Sequence, residues 1–225
     1  MATFLSLVQL LHQESGSTGV APTSVEGQVG ERKKLVDYIA NADYEIQSYW
    51  HNWKFLRDTT TFNETTIADQ QTIVKPSTLN FWDIRTLRVD GQLIDVVEYE
   101  DVLGEVFDTT SRKQPSRIII MPDNNLRLDP IPDGAYVFTG DFFKKPVKMS
   151  VNGSISLIPE EFHETVILGN ALIKYADTEN AGEISDKGLR LYESHIGQLE
   201  SSQLPNKNNS RYNSEQQVPI EVIAE

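Results

Sequence analysis

Apolar residues recur every third or fourth position at both ends of this chain, while its middle breaks into short runs of β-branched and aromatic residues divided by turn formers. A spacing near 3.6 residues belongs to a helix that buries one face, and short runs bounded by turns belong to strands. A chain that changes pattern twice in this way is expected to fold as α+β. Helices from its two ends would meet in a bundle, with an antiparallel β region inserted between them. At 225 residues it is long enough to bury a substantial core without disulfides, and with no cysteine it has none to form.

The N-terminal helices are placed within residues 1–55. Phe4, Leu7, Val8 and Leu11 share one face of a helix over 3–14, stopped by Gly16 and Gly19, and a Gly-, Ser- and Thr-rich connector over 15–30 follows. A longer helix is predicted over about 31–52, where Leu35, Ile39, Ala42, Ile46, Tyr49 and Trp53 keep the helical spacing. It ends in Trp50, Trp53 and Phe55. Such a cluster either offers a stacking platform or seals a helix against a sheet, and the structural junction is the expected role.

The inserted β region spans 56–157, with strands predicted at 59–62, 71–74, 93–97, 117–121, 125–128, 135–139 and 142–149. Asp90-Gly91 supplies the positive-φ turn of a hairpin over 85–97, and Pro146 would hold the last strand at an edge. A short helix is expected over 99–107. The C-terminal helical hairpin that completes the bundle is placed at 158–200. Pro159 opens its first helix, along which Phe162, Val166, Gly169, Ile173 and Ala176 share a face, and residues 180–182 break it. The second helix, about 183–200, carries Leu189, Tyr192, Ile196 and Leu199. Residues 201–225 read as a flexible C-terminal arm, disordered in isolation because 206–217 are almost wholly polar. Its end turns apolar again at Val218, Pro219, Ile220, Val222 and Ile223, a motif suited to docking on another subunit.

Composition removes several classes of function. A formal charge of −13 repels nucleic-acid phosphate and acidic lipid. No stretch approaches the roughly 20 apolar residues of a membrane span, and residues 4–11 lack the flanks of a secretory signal. Nucleophile elbows, phosphate-binding glycine loops and dinucleotide fingerprints are missing from the sequence, so no catalytic residue and no cofactor site is assigned. His12, His51, His163 and His195 stand apart from one another without a partner at metal-ligand spacing, so no metal site is assigned and each is expected at the surface. Glu161, His163 and Glu164 imitate an acid-base group, but acids in a first helical turn need only the helix dipole. Asp123, Asn124, Asn125, Asp129 and Asp133 are better explained by turns than by a calcium loop.

The order of these elements, with several local strings, resembles the head-to-tail adaptor proteins of tailed bacteriophages, also called connector or neck proteins. The strings are Phe4-Leu5-Ser6-Leu7-Val8-Gln9-Leu10-Leu11, Gly27-Gln28-Val29-Gly30-Glu31, Trp53-Lys54-Phe55-Leu56-Arg57, Pro132-Asp133-Gly134-Ala135-Tyr136-Val137 and Ile158-Pro159-Glu160-Glu161-Phe162-His163. The likeness covers most of residues 1–200 and departs from the family pattern at Lys113-Gln114-Pro115. It implies a structural virion protein of the neck, assembled in the host cytoplasm. It further implies a homo-oligomeric ring, commonly a dodecamer, that contacts the portal protein on one side and tail or nozzle proteins on the other while DNA passes through without tight binding. Val218 to Ile223 would then be the portal anchor. Two other readings of the same residues are a tail-completion or tail-terminator protein, and a carbohydrate-binding module using Trp50, Trp53 and Trp82. An enzyme is not expected.

Overall fold

A computed structural model describes residues 2–105 and 110–205. The C-terminal arm beyond Pro205, with the Val218 to Ile223 motif, and the end of the helix expected over 99–107 lie outside the described residues.

Four helices carry the bundle: α1 (Phe4–Glu14), α2 (Gly30–Tyr49), α3 (Leu168–Glu179) and α4 (Gly182–Gln203). Thr3 caps α1 by accepting from the Ser6 amide at 3.2 Å, and the predicted residues Phe4, Leu7, Val8 and Leu11 are the ones it buries. The first two amides of α1 donate to Ser154 and Asn152 carbonyls at 2.8 and 3.2 Å, so the turn after the β region satisfies the N-terminal donors of the first helix. Helix α2 stops at Tyr49, short of the predicted end, because Trp53 turns back into the core and its Nε1 donates to the Ile46 carbonyl at 3.0 Å. That indole satisfies one of the acceptors a helix C-terminus leaves open.

The Pro159 segment begins with a 3₁₀ turn (Glu160–Phe162) and a π turn (His163–Ile167) before α3 becomes regular. Asn180 ends α3 in the left-handed region, φ 53°, and α4 starts two residues later. The hairpin packs backbone to backbone at two glycines. A Cβ on Gly169 would lie 2.9 Å from the Tyr192 nitrogen, and one on Gly188 would lie 2.9 Å from the Gly169 oxygen. This close approach rotates α4 relative to its predicted stripe: Gly188 and Leu199 are buried, whereas Leu189 is exposed.

Among the described residues ten short strands run between the helices: β1 (Phe62–Thr65), β2 (Thr72–Ile73), β3 (Leu79–Trp82), β4 (Arg88–Val89), β5 (Gln92–Leu93), β6 (Asp95–Glu98), β7 (Arg117–Ile120), β8 (Leu126–Asp129), β9 (Val137–Gly140) and β10 (Phe142–Lys144). They form sheets ordered β1-β9-β4-β5 and β2-β8-β7-β6, with a β10-β3 ribbon. The Asp90-Gly91 hairpin joins β4 to β5 with φ of 48° and 76° at the turn. Among the described strands pairing is antiparallel except between β6 and β7, which run parallel. The long connection from Tyr99 to Ser116 allows that crossover, which local patterning cannot reveal. Strand β3 was not foreseen, and Pro146 falls beyond the end of β10.

Two apolar clusters meet at the β10-β3 ribbon. Phe142 and Trp82 belong to the sheet cluster, while their neighbours Phe143 and Phe81 face the bundle, stacked on each other at 4.7 Å. The two-residue alternation of strands thus buries both faces of the ribbon.

Below the ribbon a buried polar network fastens α2 to the chain leaving β10. Gln47 exchanges two hydrogen bonds with the Val147 backbone, at 3.0 and 3.1 Å, and donates to Asp43 at 2.8 Å. The Ser156 hydroxyl donates to the other Asp43 oxygen and accepts from the Ile158 amide at 3.0 Å. Burial pushes the Asp43 carboxyl up to about 6, against the lowering effect of the Ser156 and Gln47 bonds.

Two expectations follow from this packing. Gly188→Ala should destabilise by about 1–3 kcal/mol through overpacking, whereas Gly197→Ala, with open space around its Cβ, should stabilise α4 by up to about 1 kcal/mol; thermal melts of both variants check the contrast. For Asp43, the folded protein holds its proton to higher pH than the unfolded chain. Its contribution is therefore fully present below the ordinary aspartate value of 3.8 and is lost as pH rises through about 6. In Asp43→Asn the amide oxygen faces Gln47 and the amide nitrogen faces Ser156. Urea titrations between pH 4 and 7 should show this component, up to about 3 kcal/mol, in the parent and not in the variant.

Candidate assembly surfaces

The aromatic residues at the end of α2 divide by role. Trp53 is fully buried and stacks on Phe55 at 5.2 Å, and both pack into the apolar cluster of the bundle. Trp50 is 43% exposed and donates through Nε1 to Glu200 near the end of α4, at 3.0 Å. Trp82 is buried in the sheet cluster, so Trp50, Trp53 and Trp82 do not share an exposed face on which a sugar could stack.

Trp50 instead helps to set where the chain leaves the body. Its bond to Glu200 and a 2.8 Å bond from Lys54 Nζ to the Ser202 carbonyl hold the last turns of α4. Pro205 then lies at a depression of about 310 Å³ between bundle and sheet, lined by His51, Asn52, Phe81, Asp83, Phe143 and Arg85. Arg57 crosses this region, reaching Asp141 at 2.6 Å and the nearly buried Asp83 at 3.2 Å, with its guanidinium 6.0 Å from the Phe143 ring centre. Burial would raise the Asp141 carboxyl, but the bonds from Thr61 and Arg57 hold it below its usual range. The arm residues thus start from a site braced by ion pairs.

The residues that imitated chemistry are placed apart. His163 is not at the surface: it is buried, and its Nε2 lies 2.7 Å from the Ile158 carbonyl. The π turn swings this ring inward while Glu161 and Glu164 stay exposed, so the three do not converge. Asp123 accepts from the Asn125 amide at 2.9 Å, and Asn124 adopts φ 63°, as a turn requires. Asp129 pairs with Arg117 at 2.7 Å. Among the described residues no cluster of three or more histidines and acids could hold a metal ion, and no helix is long and apolar enough to cross a membrane.

Sequence reasoning missed Asp43 and Gln47. The available signal was their spacing: they lie four residues apart on the same face as Ile39, Ala42 and Ile46, where a polar pair needs a buried partner.

The large exposed aliphatic residues include Ile67 and Val74 around β2, Leu93 and Leu103 around β6, and Val147, Val151 and Ile155 before α3. With Trp50 as the exposed tryptophan, Trp50→Phe should remove most acrylamide-accessible emission, leaving the shielded fluorescence of Trp53 and Trp82.

No curated protein matches the sequence. The family model for the SU10 adaptor protein matches residues 3–218, covering the bundle, the β region and much of the arm that the earlier resemblance had left out. The chain therefore belongs to the SU10 adaptor protein family and is a bacteriophage adaptor, a structural protein of the phage particle.

Proposed function

We propose that this chain is the head-to-tail adaptor of a tailed bacteriophage, a non-enzymatic subunit of a ring between the portal and the tail or nozzle proteins. The observation that carries this reading is the family match, which spans the folded body and continues along the arm to residue 218. The ring is twelve-fold by resemblance to neck proteins, and it resides in the virion neck after assembly in the host cytoplasm. Its lumen conducts DNA without holding it, a role supported by the charge of −13, which repels phosphate.

The portal anchor is assigned to Val218, Pro219, Ile220, Val222 and Ile223. Twelve residues separate Pro205 from Val218, enough to span up to about 45 Å when extended. The polar linker gives reach, and the apolar end supplies area to bury in a groove or beside a sheet edge on the partner.

Co-sedimentation with portal rings from the same genome tests both parts. The full chain should bind stoichiometrically, and a truncation after Pro205 should lose binding while keeping its fold. Binding retained by the truncation would move the anchor to the helical body. Absence of binding by either form would contradict the adaptor role and favour a tail-completion protein.

A further inference from the structure

The sheet ordered β2-β8-β7-β6 has two edges, and among the described residues neither β2 nor β6 has a second strand beside it. Unpaired edges are sites where chains associate unless they are covered or blunted. The two edges carry different chemistry. Around β2, Ile67 is 64% exposed and Val74 is 67% exposed, and a depression of about 360 Å³ lies against Thr72, Met121, Pro122 and Asp123. Lys75 lies just past the end of β2, and Lys145 stands beside Ser77 and Thr78 in the connection that follows. Their ammonium groups meet backbone carbonyls, of Asp123 and Ser77 respectively, and neither forms an ion pair among the described residues. The carboxylate of Asp123 is turned back onto Asn125, accepting from its amide nitrogen at 2.9 Å and its side-chain nitrogen at 2.7 Å.

The β6 edge is the complement. Asp95, Glu98, Glu100 and Asp101 are exposed along it, and Leu103, 65% exposed, follows. Partial burial raises the Glu98 carboxyl, with further raising by Glu100 and Asp101, so acids crowd the end of this edge, while Arg85 lines the same depression as Glu98 and Arg117 stands opposite Asp95 on β7. The register places the end of β6, at Glu98, and the end of β2, at Ile73, at the same end of the sheet, beside the β7-β8 turn. The outer strands β6 and β2, with Glu98 at the end of one and Lys75 just past the end of the other, lie about 14 Å apart.

We propose that copies of this chain associate head to tail through these two edges, the β2 edge of one copy receiving the β6 edge of the next. Leu103 enters the depression beside β2, and Lys75 and Lys145 meet Glu98, Glu100 and Asp101. Because the two patches differ and lie on opposite edges, the contact is heterologous, the class that closes into rings when the rotation per subunit allows it. The inference rests on the ring proposed above and names the surface by which its subunits meet.

The test uses full-length protein assembled on portal rings, followed by native mass spectrometry to count adaptors per portal. Two charge reversals are compared with the parent, K75E/K145E and E100K/D101K, together with the quadruple variant that carries both. Each reversal alone should weaken association between neighbours about tenfold and leave rings incomplete, and the quadruple variant should restore them. Restoration also excludes misfolding as the cause of the single defects. Complete rings from both reversals, or no rescue in the quadruple variant, would overturn the edge pairing while leaving the adaptor role intact. A parent protein that binds portal without ever forming a ring would overturn both.

Discussion

The architecture depends on a ribbon of two strands that buries both of its faces. In β10, Phe142 enters the sheet core and Phe143 enters the bundle core, and in β3 Trp82 and Phe81 divide in the same way. Each face removes large aromatic surface from water, a gain of about 25 cal/mol per Å² of apolar area. Neither cluster can shift along the ribbon without displacing the other, since a slip of one residue would exchange every inward and outward side chain. The stack of Phe81 on Phe143 and the guanidinium of Arg57 near that ring close the seam.

The polar network below the seam adds direction to what apolar burial leaves non-specific. Gln47 pairs with the Val147 backbone as a neighbouring strand would, and Asp43 and Ser156 fix the chain just before it enters the π turn. Burying these groups has a cost that their hydrogen bonds offset, and removing one partner would leave the others unsatisfied in the core. The result is a body whose N-terminal helix, inserted β region and C-terminal hairpin are tied at named bonds. Such a body is suited to transmit contacts between partners on different faces, which is what an adaptor must do.

Much of this was legible in the sequence wherever a local pattern decides structure. The face of α1, the connector after it, the Asp90-Gly91 hairpin, the Asn180 break and the α+β arrangement all follow from spacing and turn chemistry. The features that were not legible arise from contacts distant in sequence. Strand β3 forms because β10 pairs with it, and the parallel β6-β7 pair depends on a long crossover. The stripe on α4 is set by where two glycines let it approach α3, and His163 turns inward because the helix begins with a π turn. The aromatic residues at 50–55 do not act as one unit: Trp53 and Phe55 stack within the bundle cluster, whereas Trp50 is exposed and bonds Glu200 near the end of α4.

The most direct measurement of the central claim is cryo-electron microscopy of the neck of intact particles containing this protein. The account predicts a closed ring of this chain between portal and tail, with the end of α4 at Pro205 turned toward the portal and neighbouring subunits touching through sheet edges. Density for the chain along the tail tube, at the tail tip or within the capsid shell would contradict it.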